Sequence, residues 1–271
     1  MTIGEPATRE RDEGQGDRPG PPVWLVHNPR SRAGAKNGER LRAVAEESGG
    51  EIAWRAPETL EALAAVVAEA TAAGAEILAI HGGDGTLHRV LSALIAHLGG
   101  GKPGPHLRDL PVPQIMILRA GTVNIVAGNI GAPADGANRL RKLLEARAAG
   151  RAPQTRDLAL TVVNGQHAGF IFGTGAIPRM MDAYYEGGDA SVWKSAKVIG
   201  QGVVSTLVGG AFANHLFHRD PYTVTVDGEV WPGDGWGAVC TGTVPKMALG
   251  FAPFYSLRDQ TGHLHVLAIR C

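Results

Sequence analysis

Ile77-Leu78-Ala79-Ile80-His81-Gly82-Gly83-Asp84-Gly85-Thr86 is the stretch that decides the fold. Its four leading apolar residues are too few for a buried helix and run into a glycine cluster, the pattern of a strand covered on both faces. Such strands belong to parallel sheets flanked by helices. The helical stretch that follows, running to His97, supplies one of those helices.

The same grammar extends outward from it. Upstream, Val23-Trp24-Leu25-Val26 runs into His27-Asn28-Pro29, and a polar helical stretch covers roughly Ala35 to Ser48. Glu51 to Ala56 reads as a further strand, and Pro57-Glu58-Thr59 opens an Ala/Val/Leu helix that ends near Gly74. Downstream, a Gly/Pro loop from Gly99 to Pro113 precedes a strand over Gln114 to Leu118. Strands alternating with helices at this spacing predict an α/β domain with a doubly wound parallel sheet. After the helix containing Arg139 to Ala149 the pattern changes. Asp157 to Val163 and Gly169 to Phe172 read as strands joined by Asn164-Gly165, a strong hairpin signal. Tyr222 to Val226 with Asp227-Gly228, then Trp236 to Cys240 and Leu264 to Ile269, continue an all-β, sandwich-like pattern, interrupted by a helical stretch around Lys194 to Phe217. The expected organisation is a disordered tail over 1–22, an α/β domain over 23–150 and a β-rich domain over 151–271, the last cut short at its C-terminus.

Composition narrows the function classes. Lys+Arg and Asp+Glu each number 26, so the chain has no net field to draw in a polyanion, and nucleic acid is not expected as a partner. Two cysteines, Cys240 and Cys271, are too few for a disulfide framework and fit a reducing compartment. The first 22 residues hold no apolar run of signal-peptide type, so the expected location is cytoplasmic, peripheral to the inner face of a membrane. Val198 to His218 carries no Asp, Glu, Lys or Arg, but four glycines and several polar residues oppose a transmembrane span. That stretch reads as a buried or membrane-touching helix, with an apolar acyl-chain site as its functional reading and ordinary core as the alternative.

Gly82-Gly83-Asp84-Gly85-Thr86 stands where a buried strand meets a helix. Glycines there let backbone N–H groups approach a phosphate, and the helix N-terminus favours negative charge. An acid among them is explained if Asp84 holds a phosphate-bound Mg²⁺, or if it caps the helix. Asn28-Pro29-Arg30-Ser31 follows the first strand, and Gly121-Thr122-Val123-Asn124 follows the strand ending at Leu118. All three turns fall at the carboxyl edge of the predicted sheet, where ligands bind. The small donors Ser31, Thr86, Thr122 and Asn124, with glycines between them, suit a triphosphate; the Walker A pattern is absent.

In this order and spacing, Asn-Pro-x-Ser, Gly-Gly-Asp-Gly-Thr and Gly-Thr-x-Asn resemble the diacylglycerol kinase catalytic-domain family, which includes bacterial lipid kinases, sphingosine kinases and ceramide kinases. The resemblance runs from Val23 to about Ile269. It implies a lipid kinase that moves the γ-phosphoryl group of ATP, with Mg²⁺, to a diacylglycerol-like or sphingoid hydroxyl in a cleft between an ATP-binding domain and a β-rich domain. Carried over by position, Asn28, Ser31, Gly82, Gly83, Asp84, Gly85, Thr86, Gly121, Thr122 and Asn124 form the nucleotide site, and Thr59 lies beside it. Asp157, a glycine turn at Gly173-Thr174-Gly175, and Lys194 also match, each with a structural alternative.

The chain departs from the family at three places. Leu87-His88-Arg89 replaces a pattern that has Asn-Glu after one residue, and Arg119 replaces a proline; both arginines would add positive charge near a triphosphate or face solvent. Near the end, Thr261 occupies the position of the family's catalytic aspartate when aligned on Gly262, and His265 that of a downstream acid. Asp259 becomes the candidate base if a short insertion is allowed, whereas His263 and His265 read as two surface histidines on a strand. A catalytically weak nucleotide- or lipid-binding protein and an NAD kinase-like enzyme are the competing readings, and a homodimer is left open.

Overall fold

The computed structural model describes residues 22–32, 34–99, 110–185, 211–216, 218–247, 251–258 and 263–270. Four parallel strands, β1 (Val23–His27), β2 (Ile52–Arg55), β3 (Ile77–Gly82) and β4 (Gln114–Arg119), form one sheet in the order β2-β1-β3-β4. The connection leaving β1 moves to one side and the connection to β3 returns to the other. The strand order therefore reverses between β1 and β3, the switch point at which a crevice opens beyond the carboxyl ends.

Both faces of the sheet are covered, as the continuous apolar runs require. Val23, Leu25, Ile77, Ala79 and Leu118 pack under α1 (Gly34–Glu47) and α5 (Gly136–Ala148) through Leu41, Val44, Leu140 and Leu143. Trp24, Val26, Leu78, Ile80 and Ile117 point the other way, against Leu63 and Val67 of α2 (Leu60–Ala72) and Val90, Leu91 and Leu94 of α3 (Asp84–Gly99). A short helix, α4 (Ile125–Asn129), adds Val126 and Ala127 to this second core. The strand period of two sorts alternate side chains to opposite faces, and apolar residues on both require helices on both.

Beyond α5 the structure is β-rich and antiparallel. The Asn164-Gly165 turn forms, with φ of 54° and 70° as a type I′ hairpin demands. Its strands, however, are β5 (Thr161–Val163) and β6 (His167–Gly169), so Asp157 to Leu160 is not strand and the returning arm starts earlier than the sequence suggests. The next strand, β7 (Ile171–Gly175), pairs instead with β10 (Ala238–Gly242), which also pairs with β11 (His265–Ile269). Gly173-Thr174-Gly175 is thus strand, not a free turn. Its last glycine, at φ 65°, feeds a helix that the sequence reading did not place, α6 (Ala176–Tyr185). The Asp227-Gly228 turn joins β8 (Thr225–Val226) and β9 (Glu229–Val230).

Of the uncharged stretch from Val198 to His218, only 211–216 and His218 are described. Ala211–Leu216 is a short helix, α7, whose Leu216 is buried against Ala176 and Ala238. Arg179 donates to the Leu216 and His218 carbonyls and makes a two-pronged ion pair with Asp220, 2.7 Å to each oxygen. The rest of that stretch, Lys194 and the candidates Asp259 and Thr261 lie outside the described residues. No helix among the described residues is long and apolar enough to cross a membrane.

Candidate functional site

At the switch point the three sequence motifs meet, and hydrogen bonds tie them together. The Asn28 amide donates to the His81 carbonyl at 2.9 Å, carrying the β1–β3 pairing one residue beyond the strand. Asn28 Nδ2 then donates to Thr86 Oγ1 at 2.7 Å, joining the first turn to the second. The Asn28 side-chain oxygen accepts from the Arg30 amide, while Ser31 Oγ donates to the Asn28 carbonyl, so the first turn is closed by its own side chains.

The second and third turns touch through backbone alone. A Cβ built on Gly121 would stand 2.5 Å from Gly83 Cα, and one on Gly83 would stand 2.9 Å from Gly121 Cα, so neither position admits a side chain. Gly82 is similarly filled by the Thr86 side chain. Gly85 is different. It is exposed, nothing lies within 4 Å of where its Cβ would be, and its φ is not positive. Among the described residues no neighbour calls for a glycine there, and the bare position leaves room for an anion at the first turn of α3. Among the described residues the N–H groups of Asp84 and Gly85 also have no acceptor, as expected at the start of a helix.

Asp84 makes a contact that neither reading of the sequence included. Its side chain crosses to α4: Oδ2 accepts from the Ile125 amide at 2.9 Å and Oδ1 from the Val126 amide at 3.1 Å. It thus caps the neighbouring helix, not its own. Asn124, which precedes α4, cannot do so, because its side chain is turned back onto Gly121: Oδ1 accepts from the Gly121 amide and Nδ2 donates to the Gly121 carbonyl. This double contact holds Asn124 at φ 53°, ψ 54°, a left-handed conformation that asparagine tolerates better than most residues. The Gly-Thr-x-Asn motif therefore reads as a self-clamped turn, with Gly121 set against Gly83 and Asp84 supplying the missing cap. Thr122 is half-buried and its hydroxyl has no partner among the described residues, leaving it free to donate.

Other predicted residues fall farther from this cluster. Thr59 is exposed and caps α2, its Oγ1 accepting from the Ala62 amide at 3.1 Å; it stands at the carboxyl edge but touches none of the three turns. Asp157 is exposed in coil. Arg119 is half-buried, its guanidinium donating to the Ala132 carbonyl at 3.2 Å; Arg89 is exposed. His263 precedes β11 and is not part of the strand, whereas His265 opens it, with its Nδ1 2.7 Å from Ser256 Oγ. Among the described residues no three His, Cys, Asp or Glu side chains group as a metal site.

Two features escaped the sequence reading. His27 and His81, at the carboxyl ends of β1 and β3, face each other with their Nδ1 atoms 2.8 Å apart, and both are almost fully buried. The alternation of Val23, Leu25, His27 and of Ile77, Ala79, His81 was a signal that the two rings share one covered face of adjacent strands. Gly38 of α1 backs this pair: a Cβ there would stand 2.9 Å from His27 Nε2. Because that ring lies against Trp54 on one face and is held at its Nδ1 edge by His81, it has no room to retreat. Gly38→Ala, ordinarily favourable in a helix, is therefore expected to destabilise the protein by about 1–2 kcal/mol, read as a lowered Tm; an unchanged or raised Tm would contradict this packing.

The second feature is how the α/β half meets the β-rich half. Four residues beyond Asp84, His88 Nδ1 bonds the Ala168 carbonyl of β6 at 2.7 Å, and Ser92 Oγ accepts from the Ala168 amide. Asn129, ending α4, makes two bonds to the Lys246 backbone beyond β10. Both helices that start at the glycine turns thus also hold the β-rich half.

The diacylglycerol kinase catalytic domain matches residues 22–151, the span that carries all three motifs. That match covers just under half of the chain. A diacylglycerol kinase structure from Bacillus anthracis shares 17% identity with the chain at a TM-score of 0.61, over 92% of this chain and 73% of that one. A second structure from the same organism, assigned as such a kinase, gives 17% and 0.64 over 92% and 72%. At these identities the likeness shows a shared fold, extending beyond the matched domain into the β-rich half. Among curated proteins no relative matches the chain. The match over these residues agrees with the triphosphate reading of the turns.

Proposed function

We propose that the protein is an ATP-dependent lipid kinase that transfers the γ-phosphoryl group to the hydroxyl of a diacylglycerol-like or sphingoid lipid. The observation that carries this reading is the convergence of Asn28, the Gly82–Thr86 turn and the Gly121–Asn124 turn at one switch point, in a domain of the matched family. ATP with Mg²⁺ supplies the phosphoryl group and the cation that offsets the charge developing during transfer. The cradle fits it: free N–H groups at Asp84 and Gly85, an unpartnered Thr122 hydroxyl, and open space over Gly85.

In this reading the chain's own work is mainly positioning and electrostatics. The α3 N-terminus and the Gly85 amide face the phosphates, Ser31 and Thr122 line the two sides, and Asp84 holds the third turn in place. With both Asp84 oxygens already accepting α4 amides, Mg²⁺ would reach this carboxylate through the remaining lone pairs or through water. The β-rich half presents the lipid, held to α3 and α4 by Ala168 and Lys246, and Asp259 is the base that receives the hydroxyl proton.

The test is incubation of the purified protein with γ-labelled ATP and an extract of membrane lipids. The expected result is label in the organic phase as a phospholipid, dependent on Gly85. Label transferred to a dinucleotide instead would favour the NAD kinase-like alternative, and ATP binding without any transfer would favour the weak binding protein.

A further inference from the structure

The strongest unexplained feature of the molecule is the buried histidine pair. Among the described residues His27 and His81 are the only polar or charged side chains classed as buried, at 5% and 1% exposure. Burying polar groups is costly unless they bond each other, and these do, Nδ1 to Nδ1. Such a contact needs one ring to donate an Nδ1 proton and the other to accept on a bare Nδ1. Protons on both Nδ1 atoms would set two donors against each other at 2.8 Å.

The surroundings leave no second arrangement. His27 stacks on Trp54 of β2, with centroids 4.8 Å apart, and meets His81 edge to edge through the Nδ1 contact, with the ring planes 11° apart; Gly38 of α1 closes its Nε2 edge. The charges that α1 carries, Lys36, Glu39, Arg40, Arg42, Glu46 and Glu47, are all exposed. From α5, Arg139 sends its guanidinium to the Ile117 carbonyl, and Arg141, Lys142 and Glu145 are exposed. On β2, Arg55 turns to Trp24 and Glu69. The β4 partner of His81 is Leu118. The charge that bears on His81 is that of His27, and no carboxylate offsets it.

Each ring is one residue from the nucleotide cradle, His27 before Asn28 and His81 before Gly82. The Asn28 amide bonds the His81 carbonyl, and Asn28 Nδ2 bonds Thr86. We propose that His27 and His81 are positioning residues for the nucleotide site, a one-proton lock that sets the spacing of the Asn28 and Gly82 turns and loosens them when a second proton enters. The proposal rests on the nucleotide reading above and adds a regulation by acid to it.

The sign follows from burial. It lowers His27, and together with the neighbouring His27 charge it pushes His81 down to about 4. The unfolded chain, with histidines near about 6.5, binds more protons than the folded one between those values. Stability is therefore full above about pH 6.5 and falls as pH drops toward about 4.

Two measurements test the lock. Ring ¹⁵N shifts near neutral pH should show one Nδ1-protonated and one Nε2-protonated ring, and the Asn28 and Thr86 amides should titrate with the pair, with a midpoint below about pH 5. Two rings in the same tautomer, midpoints near the ordinary value, or amides indifferent to the pair would overturn the proposal. In calorimetry at about pH 7.5, His81→Leu should weaken ATP binding about tenfold, the scale of one lost buried hydrogen bond, while His81→Asn, which keeps a neutral partner, stays within about threefold. The affinity that the native protein loses in acid, beyond protonation of ATP itself, should vanish in His81→Asn. Native affinity in His81→Leu, or a native pH profile in His81→Asn, would reduce the pair to core packing. No ATP binding by the native protein at about pH 7.5 would count against the nucleotide reading, with the ring and amide titrations still deciding the lock.

Discussion

Asp259→Asn is expected to lower lipid phosphorylation at least ~100-fold while leaving ATP affinity nearly unchanged. A lipid hydroxyl has a pKa far above neutrality, so transfer gains from a carboxylate that takes its proton in the transition state. Asp259 is the only carboxylate between Pro253 and the C-terminus, and Thr261 has no useful basicity. The residue itself lies outside the described residues, but Ser256 and His265, on either side of it in sequence, are in contact at 2.7 Å. That contact supplies the rival. If turnover survives in Asp259→Asn and collapses in His265→Ala, the base is the imidazole and the assignment to Asp259 is wrong.

Asp84→Ala should have the second large effect, and its form separates two roles. As placed, the carboxylate accepts two amides at the head of α4 and thereby holds the Gly121 turn against Gly83. Charge-assisted bonds of this kind are worth roughly 1.5–3 kcal/mol each, and their loss leaves two helix-end donors unpaired. ATP affinity should therefore fall about 100-fold even in chelator, with a further loss in magnesium from the carboxylate's approach to the ion. A residue acting as metal ligand alone would behave otherwise: only the Mg²⁺-dependent part of the affinity would disappear. Calorimetric titration with ATP in magnesium and in chelator measures both, and a loss confined to the magnesium arm would contradict the clamp.

The parallel sheet was legible because three of its four strands are apolar runs closed by a glycine or Asn-Pro turn, and because helices of ordinary length fill the gaps between them. Residues such as Asn28, Gly83 and Gly121 were legible as a site for the same reason: topology alone places all three turns at the carboxyl ends. What Asp84 does was not legible, because its partners are amides 41 and 42 residues away, and a backbone N–H carries no signature in sequence. The contact of Arg119 with the Ala132 carbonyl was not legible either, because a backbone acceptor carries no signature in sequence. In the β-rich half, the family resemblance suggested a turn at Gly173 to Gly175, whereas these residues pair with β10, some 65 residues on.

The most direct test of the central claim, that the three turns form a nucleotide cradle, is a crystal structure of the protein with Mg²⁺ and a non-hydrolysable ATP analogue. The account predicts phosphate density over Gly85, within hydrogen-bond distance of the Asp84 and Gly85 amides and bounded by Ser31 and Thr122. A nucleotide bound anywhere other than the β1–β3 switch point, with the space over Gly85 left to solvent, would contradict it.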